Sequence, residues 1–462
     1  MTTHRMSTFA RGALLALAAA AGASAQAPST LAPTARAAAA DPVLDALVSE
    51  ALQKNGDIAA SVATAEAAGF RIVPARTLPD PFLSFNYQND GWAFSLGQRD
   101  MTFLGAMFAQ PLPWPGKLRI AGEEAALRAE EVQAGTVGRA RLSVEARVRR
   151  AYYEYLLARE LLALIEDRDQ SWREIADVAR ERYAVGLGVQ QDALRAQVEV
   201  LRLDEARADQ GAQLANRRAE LDRLLGRSQS SPVETDQRLE FRPEVPPLPA
   251  LLEAVRDRSP ELAAFESGIE ADRSRVLLTK KSFLPDFVAS GGPMYRGGLD
   301  PMWQVGLGVT LPIHVGSRQK PLLAAAEADL RSEQSRRSSA ALELELQTRE
   351  RFQNLDAALR VARLYREGVI PTDQLSLESA IATYRTGKVP FVTVLEALNT
   401  LYADRALYLA RLAEAEKWRV AIDEGEVQES AGMSAARAGA PGASGAPMTG
   451  VARASEPSGA MR

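Results

Sequence analysis

The sequence predicts a mainly α fold with a small β part: long coiled-coil-like helical hairpins plus four β-strands per chain. Three observations lead there. The chain is written twice, the copies about 200 residues apart, so that Tyr183, Gly186 and Leu194 recur as Tyr384, Gly387 and Leu395, each displaced by 201 positions. A proline-free stretch from Lys117 to Arg182 carries apolar residues seven apart. Four short segments alternate apolar and polar side chains. Duplication on this scale fixes architecture before residue chemistry is considered, because each copy must supply the same supersecondary unit.

Taken in chain order, the amino terminus has a basic start (His4, Arg5, Arg11), an apolar run from Gly12 to Gly22, and Ala23-Ser24-Ala25 before Gln26. That is a secretory signal peptide over residues 1–25, too short in its apolar run to cross a membrane as a mature helix. Residues 26–40, rich in Ala, Pro, Ser and Thr, read as a flexible lead-in. No later segment offers about 18 uninterrupted apolar residues, which excludes an inner-membrane helical protein. The 55 basic and 59 acidic residues, net charge −4, give no reason to propose nucleic-acid binding. There is no cysteine, hence no disulfide framework and no thiolate metal site. Beyond the signal only His314 remains, which argues against histidine catalysis and histidine-cluster metal binding.

The first copy is expected over 41–228. A helical segment at about 42–77 is followed by a β-hairpin at about 80–112, in which Leu83, Phe85 and Tyr87 alternate with Ser84, Asn86 and Gln88 and the turn lies near Asn89-Asp90-Gly91. A helical hairpin follows at 117–226. Its first arm sets Val137, Val144, Ala151, Ala158, Ile165, Trp172 and Ala179 on one seam and Val148, Tyr155 and Leu162 on another, a heptad pattern that imposes helix-on-helix packing. A Pro-rich linker at 229–246 leads to the second copy at 247–425. Here a helix is interrupted at Ser259-Pro260-Glu261, which matches an N-cap serine with proline at the first helical position. A β-hairpin at about 284–312 pairs Trp303, Val305, Leu307, Val309 and Leu311 against Gln304, Gly306, Gly308 and Thr310, and a helical hairpin spans 317–422. Residues 426–462 hold almost no large apolar side chain and read as a disordered tail.

Alternating strands with aromatic residues at their ends (Tyr87, Trp92, Tyr295, Trp303) match the pattern of outer-membrane strands, with those aromatics at the membrane interface. Four strands cannot close a usable barrel, and an open edge in lipid leaves backbone groups unpaired, so the chain must oligomerise. Three copies would give twelve strands, a trimer with a 12-stranded outer-membrane β-barrel on a periplasmic α-helical barrel. The patterns alone also admit a soluble periplasmic coiled-coil protein with a small sheet. Met101, Met107, Met294 and Met302, in or beside the strands, are expected in lipid-facing or packing roles.

The duplicated helix, the Pro-Asp strand starts (Pro79-Asp80, Pro285-Asp286), the Leu-Pro strand ends (Leu112-Pro113, Leu311-Pro312), the long helix and the Tyr-x-x-Gly tips, each present twice in one order, resemble the TolC family of outer-membrane efflux channels over essentially all of residues 41–425. The stretch Gln110-Pro111-Leu112-Pro113-Trp114-Pro115-Gly116-Lys117 is similar to the heavy-metal branch of that family. The resemblance implies a homotrimeric conduit anchored in outer-membrane lipid, docked through a periplasmic adaptor on an inner-membrane resistance-nodulation-division pump, and exporting small solutes, heavy-metal cations first. Drug efflux or type I secretion is the alternative on the same architecture, and a periplasmic scaffold the alternative of another class. Neither enzymatic activity, a cofactor nor a resident metal is implied. The missing lipobox cysteine departs from the lipidated members and implies anchoring by the barrel alone.

By the same resemblance, Val185-Gly186-Leu187 and Thr386-Gly387-Lys388 are adaptor-contact tips, and Asp192, Tyr384, Thr393 and Glu396 belong to a periplasmic gate. The family pattern places an acid six residues after the first-tip glycine, at Asp192, within reach of the second-tip tyrosine, Tyr384. The arginine that reinforces this contact in some relatives falls on Val389, and the first of two constriction acids falls on Thr393, leaving only Glu396. The residue-level alternatives are that the glycines simply make the turn and that Asp192 caps a helix.

Overall fold

The computed structural model describes residues 41–96, 99–228 and 235–425. The expected signal peptide (1–25), lead-in (26–40) and tail (426–462) lie outside these residues, as does the start of the linker at 229–234. The first copy opens with three helices, Pro42–Lys54 (α1), Gly56–Phe70 (α2) and Ile72–Arg76 (α3). The single helix expected at 42–77 is therefore broken, and the reason is local. Asn55 caps α2 by accepting from the Asp57 amide at 2.9 Å, while its Nδ2 donates to the Leu224 carbonyl at 3.0 Å.

Strands Phe82–Gln88 (β1) and Phe103–Leu112 (β2) follow, then an almost continuous helix over Lys117–Val132 (α4) and Arg139–Ala184 (α5), and its return Gln190–Leu224 (α6). The second copy repeats the order: Leu248–Arg258 (α7), Pro260–Lys281 (α8), Asp286–Tyr295 (β3), Met302–Thr310 (β4), Lys320–Leu364 (α9), Ile370–Arg385 (α10) and Phe391–Glu424 (α11). Ser259 caps α8, accepting from the Leu262 amide at 3.3 Å, with Pro260 at the first helical position. Among the described residues no helix is long and apolar enough to cross a membrane, which says nothing of a β-barrel.

The heptad seam is the core. Val137, Val144, Ala151, Ala158, Trp172 and Ala179 are all buried, as are Val148 and Tyr155 of the second seam. The long helix is not uniform. A wider π turn at Gln133–Gly138 interrupts it where a β-carbon on Gly138 would come within 2.8 Å of the Pro260 β-carbon, so glycine admits the close approach of α8. Similar turns at Val315–Gln319 and Tyr365–Val369 flank α9. The segment after 235 is a strap rather than a loose connection: Leu239 is buried, Phe241 lies under the guanidinium groups of Arg363 and Arg366, and Arg419 donates to the Arg242 and Glu244 carbonyls.

The strands form one antiparallel sheet in the order β1-β2-β3-β4, its outer edges β1 and β4. Register assigns its faces. Leu83 opposes Phe108, Tyr87 opposes Leu104, Leu104 opposes Tyr295 and Pro293 opposes Trp303, so one face gathers large apolar side chains, nearly all exposed. The other carries Ser84, Asn86, Ser290, Gln304, Gly306 and Thr310. An exposed apolar face opposite a polar one is the arrangement of a barrel wall between lipid and water. Ser84 opposes Met107 and Met294 opposes Met302, which puts these three methionines on the polar face. Of the two expected roles Met294 has the packing one: it is buried and packs over Gly105. The first connection also differs from a tight turn at Asn89-Gly91: it runs from Asn89 to Thr102, with the Asn89 side chain donating to Gly91 and Ala93 carbonyls and accepting from Ser95 and Thr102 hydroxyls.

Candidate functional site

The far ends of the two helical hairpins carry the residues singled out for partner contact and closure. Each hairpin reverses in the same way. Gly186 and Gly387 have φ of 74° and 76°, left-handed values that a side chain disfavours. The amide of Leu187 donates to the Arg182 carbonyl at 2.8 Å and that of Lys388 to the Thr383 carbonyl at 3.0 Å, the six-to-one bond that closes a helix end after a left-handed glycine. Val189 and Pro390, both extended, then start the return helices.

On this shared backbone the side chains differ. Val185, Gly186 and Leu187 are exposed, giving the first tip an apolar point, whereas Thr386, Gly387 and Lys388 make an exposed polar one. Tyr384 turns inward. Its Oη donates to Asp192 Oδ2 at 3.1 Å, and its ring packs 5.5 Å from that of Phe391, which in turn meets Trp172 at 6.4 Å edge-on. These rings, with Ala176, Ala179, Ala196, Val394 and Leu398, form a core that ties α5, α6, α10 and α11 together just behind the tips. Burial pushes the Tyr384 hydroxyl up to about 12, with the negative charge of Asp192 and their hydrogen bond adding to the effect and Arg182 opposing it.

Of the other residues expected at a gate, Thr393 is half-buried and Glu396 exposed, and the structure does not bring either into the Tyr384–Asp192 contact. It brings in a residue that sequence reasoning missed. The Arg182 guanidinium lies over the Tyr384 ring, 4.5 Å from its centre, and its Nη2 donates to the Leu187 carbonyl at 2.7 Å. One side chain thus touches both tips, a cation–π contact on one side and a charge-assisted hydrogen bond on the other. The signal available in the sequence was asymmetry: Arg182 stands where the second copy has Thr383, and Asp192 where it has Thr393.

At the opposite end, Tyr87 and Tyr295 lie in one row across β1, β2 and β3 on the apolar face, with Trp303 one pair further along. Trp92, in the first connection, is fully exposed, and Tyr87 stacks on Phe94 at 4.8 Å. Among the described residues no group of three or more His, Cys, Asp or Glu side chains is placed to hold a metal ion.

A family model described as outer membrane efflux protein matches residues 47–227 and 251–423, one block in each copy. The chain is 24% identical over 388 residues to the cobalt-zinc-cadmium resistance protein CzcC of Cupriavidus metallidurans, covering 84% of this chain and 90% of that protein. It is 28% identical over 223 residues to the fusaric acid resistance protein FusA of Burkholderia cepacia, covering 45% and 41%. Among solved structures, that of the outer-membrane channel OprN superposes with a TM-score of 0.70 at 18% identity, covering 83% of this chain and 90% of that one, a likeness of fold.

Proposed function

Because this chain belongs to the outer membrane efflux protein family, and is an outer-membrane channel with a periplasmic helical extension rather than an enzyme, we propose that the cargo of its tripartite efflux system is heavy-metal cations. The observation that carries this reading is the likeness to CzcC, which runs through both copies, whereas the likeness to FusA covers less than half of the chain. In this reading three chains complete the barrel, the helical hairpins of all three form a tube below it, and a periplasmic adaptor meets the tips and couples them to an inner-membrane resistance-nodulation-division pump. The exposed apolar point Val185-Leu187 supports adaptor contact at the first tip, because burying such side chains against a partner is favourable. Thr386 and Lys388 supply the polar rim.

Tyr384 and Asp192, joined across the two hairpins, act as the latch of the resting gate, reinforced by Arg182. The channel itself does no chemistry: the pump supplies energy, and the channel supplies a sealed exit. Growth of a deletion strain across a panel of metals and drugs tests the cargo. Sensitivity to cobalt, zinc or cadmium salts is expected, and sensitivity to organic drugs alone would replace metals with drugs. For the gate, purified Asp192→Ala and Tyr384→Phe channels in planar bilayers should show an open fraction raised about tenfold, the effect of losing one charge-assisted hydrogen bond. An unchanged closed fraction in both would remove the latch.

A further inference from the structure

The sheet leaves β1 and β4 unpaired, and the duplication indicates how such edges meet. Inside the chain the two copies join where β2 ends and β3 begins. There Leu112 opposes Phe287, and Asp286, the acid of the second Pro-Asp strand start, accepts from the Trp114 amide and from Lys117 Nζ, both at 2.7 Å. Trp114 stacks on Phe287 at 5.7 Å. Lys117 is the first residue of the helix that follows the Leu112-Pro113 strand end.

Each half of this junction has a counterpart at an open edge. Pro79-Asp80 leads into β1, and Leu311-Pro312 leads out of β4 into the helical turn that holds Arg318. Asp80 and Arg318 are both exposed, and neither makes an ion pair or side-chain hydrogen bond among the described residues. Strand alternation gives Asp80 the parity of Ser84 and Asn86 and gives Asp286 that of Ser290, so both acids belong to the polar face. If β4 pairs antiparallel with β1 of a second copy, the end of β4 meets the start of β1 as the end of β2 meets the start of β3. The glycine that precedes Lys117 corresponds to Gly316, which places Ser317 opposite Lys117 and Arg318 one position on; the longer side chain of arginine spans that step.

We propose that Asp80 of one chain is held by Arg318 of a neighbouring copy of the same chain, repeating between chains the junction that Asp286 and Lys117 close within one. This rests on the multichain barrel reading. It names the contact that closes the ring at the periplasmic end of the barrel, where an unpaired edge would expose backbone groups to lipid.

The absence of native cysteine makes the test clean. Asp80→Cys with Arg318→Cys, treated in outer membranes with a short bifunctional thiol reagent, should convert most chains to covalent dimers and trimers on denaturing gels, and either single variant should not. Lys117→Cys with Asp286→Cys is the internal control, crosslinking within one chain. A second measurement covers damage by cysteine: Asp80→Arg or Arg318→Asp should lower the temperature at which the native oligomer dissociates on gels, and the double reversal should restore it. No covalent ladder and no restoration, with the wild-type oligomer intact, overturns the pairing and leaves the barrel reading standing. A wild-type protein that is monomeric by native gel and by unspecific amine crosslinking overturns both.

Discussion

Tyr183 at the first tip is 49% exposed, while Tyr384, its counterpart 201 positions later, is 3% exposed and hydrogen-bonded to Asp192, although both belong to turns closed by the same bonds around glycines of the same φ. The backbone of the repeat has been kept and its chemistry divided. One position separates how the two tyrosines are packed. Phe391, buried and in contact with both Tyr384 and Trp172, corresponds to Gln190, which is exposed. With an aromatic wall the second-tip tyrosine is drawn inward, and without one the first-tip tyrosine stays out. Arg182 and Asp192 then come from the first copy to meet a tyrosine that only the second copy buries.

The sharpest way to break that asymmetry is to erase its cause. Phe391→Gln makes the second tip like the first, removing a fully buried aromatic side chain. A loss of about 3–5 kcal/mol of local stability is expected, by analogy with truncation of buried phenylalanine. Tyr384 should become exposed and its bond to Asp192 should be lost. Hydrogen exchange read by mass spectrometry should show faster exchange in α10 and the start of α11, with the far ends of α9 and α11 unchanged. The reverse substitution, Gln190→Phe, adds a ring at an exposed position and should leave exchange at the first tip as it is.

Much of this comparison was legible in the sequence, and the rest was hidden for physical reasons. Spacing survives duplication, so the displaced Tyr-x-x-Gly pairs and the period-two segments carried the architecture, whereas Asp192 was set against Tyr384 by the resemblance to the TolC family and not by spacing. The heptad seam was equally open, since Val144, Val148, Ala151 and Trp172 are buried for the reason their period implies. What spacing could not convey is direction. Arg182 looked like one of many helix-face cations until the fold laid it over the Tyr384 ring. The three strand methionines could be assigned a face only once the register was known, because a shift of one residue moves every side chain to the other side. The break at Asn55 was missed although asparagine is a favoured N-cap, and what the sequence could not show is that its Nδ2 also reaches the Leu224 carbonyl.

That pair of breaks offers a milder test of how far the two copies have parted. Asn55 and Ser259 are both buried N-caps. Ser259→Ala removes one bond to the Leu262 amide and should cost about 1 kcal/mol. Asn55→Ala removes the equivalent bond to Asp57 and also leaves the Leu224 carbonyl without its 3.0 Å donor, so about 2 kcal/mol is expected. Thermal unfolding of the detergent-solubilised protein followed by circular dichroism should rank Asn55→Ala below Ser259→Ala. Equal midpoints would mean that the contact to α6 contributes nothing and that the two caps remain interchangeable.

The smallest effect near neutral pH, and the most diagnostic, concerns the two tyrosines under alkaline conditions. At the second tip the Tyr384 hydroxyl is pushed from its ordinary value of 10.0 up to about 12, chiefly because burial disfavours the phenolate and then because Asp192 is already negative. A group that must stay protonated to remain buried contributes its full share below the unshifted value, and that share is lost as pH rises towards the shifted one. Open fractions in planar bilayers should therefore be flat from pH 7 to about 10 and climb above it, as the phenolate is expelled from beside a carboxylate. Tyr384→Phe should start with a higher open fraction and lack the alkaline rise, which ties the rise to this tyrosine. Tyr183→Phe, at the equivalent place on the first tip, should leave the wild-type profile untouched. An alkaline rise that Tyr183→Phe abolishes and Tyr384→Phe preserves would mean that the copies have divided their labour the other way round.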